Sequence, residues 1–242
     1  MTCITWLVLK NNFDPKITVL RKKIDETEVL EILDNKKTAL FKSIFSRPKK
    51  SDIHIHSVKL YYECILMVSG KYVANYFRKA THSISVNSNV SSVVLGDDIF
   101  SVRTKSNFKK AIVGKRGKNK IDLKLEEHVF VENEDELTFD HHGREIKFPF
   151  KLNSKTTENY PNRLLEKNSS NIKNSELTHD DVIKKLQSFL KKPLKDEVRK
   201  LEEEFVLREI SEVYVPIYEA RLIGPKKKIA IIRIDAVRNK IL

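Results

Sequence analysis

From Ser51 onward the hydrophobic period of the chain is two, and this constrains the fold more than any other feature. The run "DIHIHSVKLYYECILMVSG" alternates and then becomes continuously apolar. Alternation places side chains on two opposite faces, and a continuous apolar run marks a strand covered on both. This segment therefore predicts a central strand, with Gly70 turning it into "KYVANYFRKA". Shorter strand-like runs follow, punctuated by Asn, Ser, Gly and Asp, through "HSISVNSNVSSVVLGDDIFSVR", "KNKIDLKLEEHVFVENEDELTF" and "REIKFPF" to about Phe150. Near the start, "CITWLVLK" and "KITVLRKK" read as strands as well.

Helical spacing appears in three places. Within 26–45, Val29, Leu33, Leu40 and Ile44 recur on one stripe, acidic residues lead and lysines trail, and Pro48 ends the run. Thr178 opens a second stretch as a cap, with Asp181 three residues on and Val182, Leu186, Phe189 and Leu190 as its apolar face. After Pro193, a third helix is expected from Leu194, Val198, Leu201 and Phe205. The C-terminal "SEVYVPIYEARLIGPKKKIAIIRIDAVRNKIL" reads as a hairpin around "GPKKK". Its residues 218–237 also match 62–81 without a gap, which suggests a duplicated helix-plus-hairpin unit or a chance likeness between apolar hairpins.

The expected fold is α+β, with a mixed or mainly antiparallel sheet and a few packed amphipathic helices. The expected organisation is a β-rich domain at 1–151 with one helix at 26–45. A flexible linker or long loop follows at 152–177, because that stretch is polar and aperiodic. Residues 178–242 supply two helices and the C-terminal β-hairpin, which either stays with them or completes the first sheet.

The net charge is +13, and it is unevenly placed. Residues 36–50 hold six Lys/Arg and no acid, 103–124 nine against Asp122, and 221–242 seven against Asp235. Clustering of this kind points to a polyanionic partner. In "GKRGKNK", Gly114 and Gly117 supply turn geometry for a cationic hairpin tip. The candidate nucleic-acid contacts are Lys109, Lys110, Lys115, Arg116, Lys118 and Lys120, with Lys226, Lys227 and Lys228 in the second turn. Such residues grip phosphate by charge and read no sequence. The acidic stretch "EEHVFVENEDE" competes as a neutralising neighbour, so the tip is alternatively self-paired or merely solvated.

Catalytic signatures are sparse. GxSxG, P-loop, HExxH and GxGxxG are absent, and Cys3 and Cys64 form no CxxC pair. His54 and His56 share a strand face, but a closed metal site needs more ligands. Glu63 and Glu219 each follow a Tyr, and a glutamate on a strand ordinarily faces solvent. Asp235 lies between Arg233 and Arg238, without a clear ExK companion. In "FDHHGREI", Asp140 and Gly143 fit a type I turn with a bulge, which would put His141 and His142 in solvent. No cofactor or metal is expected.

The expected function is a non-enzymatic, cytoplasmic binding or adaptor protein that contacts nucleic-acid backbone. Alternatives are a subunit of a complex with an acidic protein partner, and a metal-dependent hydrolase or nuclease. No apolar run of spanning length is present.

Overall fold

The computed structural model describes residues 7–8, 14–42, 48–102, 119–194 and 198–242. Its strands are β1 (Leu7–Val8), β2 (Lys16–Val19), β3 (His54–Val86), β4 (Ser92–Leu95), β5 (Asp98–Ser101), β6 (Asn119–Phe139), β7 (Ile172–Lys173), β8 (Val198–Ile223), β9 (Ile229–Asp235) and β10 (Lys240–Ile241). The helices among the described residues are α1 (Glu26–Phe41), α2 (Pro161–Lys167) and α3 (His179–Leu190). The protein is α+β and dominated by its sheet. That sheet runs β10-β9-β8-β3-β6, with β1 and β2 parallel to β8 and β7 parallel to β3. β4 and β5 form a separate hairpin.

Two compact units are present and are not successive stretches of chain. One comprises Met1–Val8, Tyr72–Asn133 and Lys191–Phe205, and the other Leu9–Lys71, Glu134–Leu190 and Val206–Leu242. β3, β6 and β8 contribute residues to both.

In the second unit, α1 is started by a reciprocal cap. Glu28 N–H donates to Asp25 Oδ1 at 3.0 Å, and Asp25 N–H donates to Glu28 Oε2 at 2.8 Å. Val29 and Leu33 are fully buried against Tyr218, Ala220, Leu222, Ile232 and Ile234 on one sheet face. Burying each such side chain contributes about 1.5–3 kcal/mol. The opposite face packs Leu20, Ile65, Val213, Val215, Ile217 and Val237 beneath Ile146, Phe148 and Phe150. In the first unit, Tyr72, Ala74, Tyr76 and Ile121 are buried. Tyr72 Oη donates to Glu203 at 2.5 Å, and Lys191 holds the same carboxylate at 2.8 Å.

Several elements differ from the sequence reading. Residues 152–177, read as a linker, carry α2 and β7, and β7 pairs with β3 at Tyr62 and Glu63. Where the third helix was expected, the described residues from Val198 onward form β8 instead. β3 runs through Gly70 without turning, so 62–81 lies within one strand while its match at 218–237 is mostly the β8–β9 hairpin. α1 ends at Phe41, and residues 43–45 of the expected helix lie outside the described residues.

Candidate functional site: a cationic turn beside a charged network

The β8–β9 register pairs Ile223 with Ile229, Arg221 with Ile231, Glu219 with Arg233 and Ile217 with Asp235. Cross-strand partners share a face, so this sequence of pairs is a strip running out to the connecting turn. Exposure rises along it. Ile217 and Asp235 are buried, whereas Ile231 is 61% exposed and Ile229 54%.

The turn itself is Pro225-Lys226-Lys227-Lys228. Lys228 N–H donates to Pro225 O at 3.3 Å, and Gly224 N–H donates to Lys228 O at 2.8 Å. Lys226 has φ 56° and ψ 29°, and Lys227 has φ 58°. Two consecutive left-handed residues at the centre of a four-residue turn are the type I′ pattern, here within a three-residue connection, 225–227, set by the Ile223–Ile229 pairing. Asn-Gly is the favoured pair there. A lysine costs about 1–2 kcal/mol in the left-handed region because its Cβ crowds the backbone. All three lysines are exposed, and among the described residues none has an ion-pair partner.

α1 ends beside this turn. A Cβ placed on Gly224 would lie 2.5 Å from the Phe41 ring, so only glycine admits the ring there. Lys42 follows at once and is exposed, as is Lys49. Part of the 36–50 cluster is neutralised: Lys37 and Lys50 both pair with Asp34 at 2.9 Å. Their two ammonium groups pull the Asp34 carboxyl down to about 2.

Of the expected contacts, Lys226, Lys227 and Lys228 form this exposed turn. Lys120 sits exposed at the start of β6, in the other unit. Lys109, Lys110, Lys115, Arg116 and Lys118 lie outside the described residues.

Two strand pairs in from the turn lies a network that the sequence reading missed. Glu63, expected to face solvent, is buried. Its Oε1 accepts from Lys173 Nζ at 3.2 Å, and its Oε2 accepts from Arg233. Lys173 also donates to Glu219 at 3.0 Å and lies 4.4 Å above the Tyr61 ring. Burial opposes the Lys173 charge, but the two carboxylates outweigh it and hold its pKa above the usual value. Arg233 Nε is buried without a hydrogen-bond partner among the described residues.

"FDHHGREI" forms the expected turn. Gly143 N–H donates to Asp140 O at 2.9 Å, Gly143 has φ 75°, and Asp140 Oδ1 accepts from the N–H groups of His142 and Arg144. The histidines differ in burial, however. His142 is exposed and meets Glu176 at 2.8 Å, while His141 turns inward to 3.5 Å from Glu63. The two rings lie 3.9 Å apart.

Desolvation lowers the His141 pKa. His142 and Arg233 add to the lowering, and Glu63 and Asp140 oppose it. Protons therefore bind the unfolded chain first. Stability from this group is intact above about pH 6.5 and declines as pH falls toward the lowered folded value. Urea midpoints between pH 7.5 and 5.5 should fall in the wild type, and His141→Gln should flatten that decline. An unchanged slope would mean that His141 titrates normally.

The remaining candidates lie apart from the turn in sequence or are enclosed by the fold. Asp235 is 1% exposed and accepts from Val237 N–H and Arg238 N–H, both at 2.9 Å, and from Arg238 Nε at 2.6 Å. Cys64 is buried, and desolvation pushes its thiol up to about 12. In a Cys3→Ser background, Cys64 should stay unreactive to Ellman's reagent at pH 8 until urea unfolds the chain. Rapid native labelling would contradict this. His54 and His56 are exposed, and no group of three His, Cys, Asp or Glu side chains is placed to hold a metal among the described residues. None of the helices described is long and apolar enough to cross a membrane.

Comparison of the chain with protein-family models, curated proteins and solved structures found no match.

Proposed function

We propose that this chain is a non-enzymatic binding protein that contacts the phosphate backbone of nucleic acid through the Lys226–Lys228 turn, with Lys42 and Arg221 beside it. The observation that carries this reading is the left-handed conformation of both Lys226 and Lys227. The turn type favours Asn-Gly, yet the sequence puts two long cations there. Local strain of this kind concentrates at working surfaces. Supporting it, the packing of Phe41 on Gly224 brings the end of α1, with Lys42, beside the turn. The third stretch, at 103–124, contributes to the reading by its sequence alone.

Exposed lysines on a tight turn give affinity without base recognition and a steep dependence on salt. Anisotropy titrations with labelled random-sequence DNA and RNA across a salt series test the reading. Binding should weaken steeply with salt, and each lysine removed from Lys226, Lys227 and Lys228 should lower the log–log slope by about 0.9 on a duplex. Absence of binding at low salt, or binding indifferent to these lysines, would refute it. In that case capture of a defined acidic protein partner, insensitive to nuclease, would favour the protein-interaction alternative.

A further inference from the structure

Resting on that reading, we infer that the nucleic acid at the Lys226–Lys228 turn is a duplex and not a single strand. Proteins that hold single strands stack successive bases on aromatic rings. Among the described residues, the rings around this turn are committed elsewhere. Phe41 is seated on Gly224, Tyr61 has the Lys173 ammonium 4.4 Å above its ring, and Tyr62 and Tyr218 are buried. The exposed side chains of the strip are Arg221, Ile229 and Ile231, which offer charge and aliphatic surface.

The charges also stand on fixed supports. Pro225 has its φ set by its ring, two backbone hydrogen bonds close the turn, and the Phe41 ring braces its base. Closely spaced cations on one braced turn suit phosphates that are already ordered. A duplex presents one charge per about 1.7 Å along its axis with its two backbones already ordered. A flexible single strand would have to be ordered on binding and would gain no stacking from the described rings in return. Duplex DNA and duplex RNA share this phosphate chemistry, and the probes below separate them.

The experiment uses the full chain and four probes. These are a labelled 24-base-pair random DNA duplex, its single strand, the matching RNA duplex, and vesicles of phosphatidylserine with phosphatidylcholine. Each is titrated against the wild type and against Lys226→Gln/Lys227→Gln/Lys228→Gln, with circular dichroism to establish that the variant folds. The inference expects at least one duplex to bind about tenfold tighter than the single strand at ~100 mM salt, and the preference to collapse in the triple variant. The tighter of the two duplexes names the polymer. Lysine-dependent binding in which the single strand equals or exceeds both duplexes overturns this inference and leaves the proposed function standing. Lysine-dependent binding to vesicles alone, or to no probe, overturns both.

Discussion

Replacing Lys226 by Asn and Lys227 by Gly is expected to stabilise the fold by about 1–3 kcal/mol while weakening duplex binding. Each lysine in the left-handed region costs about 1–2 kcal/mol. Asn tolerates that region and glycine occupies it freely, although glycine returns about 0.5–1 kcal/mol through the entropy of the unfolded chain. The backbone hydrogen bonds of the turn involve no lysine side chain, so the substitution leaves them in place. Removing two cations should lower the salt slope by about 1.8 on a duplex. Urea unfolding and anisotropy, run on the same preparations, measure the two effects. Their opposite signs are the point: a variant that gains stability and keeps its affinity would show that the lysines merely solvate the turn. A variant that loses stability would show that Lys226 and Lys227 make contacts that offset their strain.

Much of this architecture was readable from residue order, and the failures have physical causes. The β8–β9 hairpin followed from two apolar runs around a Gly-Pro turn, and α1 from its stripe with Asp25 and Glu28 at its start. The third helix was misread because Leu194, Val198, Leu201 and Phe205 fall at helical spacing in a segment rich in Glu, Lys and Arg. Two features concealed the strand period there. Lys200 has φ 49°, which breaks the alternation. Glu203, an acidic residue in a polar run, takes an inward position with only 4% of its side chain exposed, because Tyr72 and Lys191 satisfy it. Neither partner is visible locally, and pairing with neighbouring strands overrode the local propensity.

The site divides along the same line. The lysine turn was legible because charge clustering and turn residues are properties of consecutive positions. Its strain was not, because φ at Lys226 and Lys227 follows from strand register and twist. The Glu63 network was hidden for a further reason. Lys173 lies 110 positions from Glu63, and Arg233 lies 170. An isolated carboxylate on a strand correctly reads as solvent-facing, since burial without partners is prohibitive. Only the fold supplies the partners. His141 follows suit: the turn was predicted, but the direction of its first central side chain depends on Glu63 beneath it.

Glu63→Ala is expected to show the converse of the turn variant, losing stability while gaining affinity for polyanions. The substitution leaves Arg233 without its carboxylate and with its Nε already unpartnered, and it leaves Lys173 with Glu219 alone. Breaking a fully buried pair costs about 3–5 kcal/mol. Arg233 and Lys173 each keep 30% side-chain exposure, so water recovers part of that loss. The expected destabilisation is about 2–4 kcal/mol. Lys173→Met should cost less, because Glu63 still holds Arg233. The double variant should fall short of the summed losses by about 0.5–3 kcal/mol, the coupling typical of residues in direct contact. A loss under about 1 kcal/mol for Glu63→Ala would place the network among surface ion pairs of little energetic weight. On the binding side, Arg233 lies one same-face pair from Arg221 and Ile231, about 7 Å along the strand. Removing the Glu63 carboxylate makes that face more positive, so the salt-dependent affinity for duplex should rise. An affinity that stays constant while stability falls would confine phosphate contact to the turn and helix end, and would assign the network to holding β7, β3, β8 and β9 together.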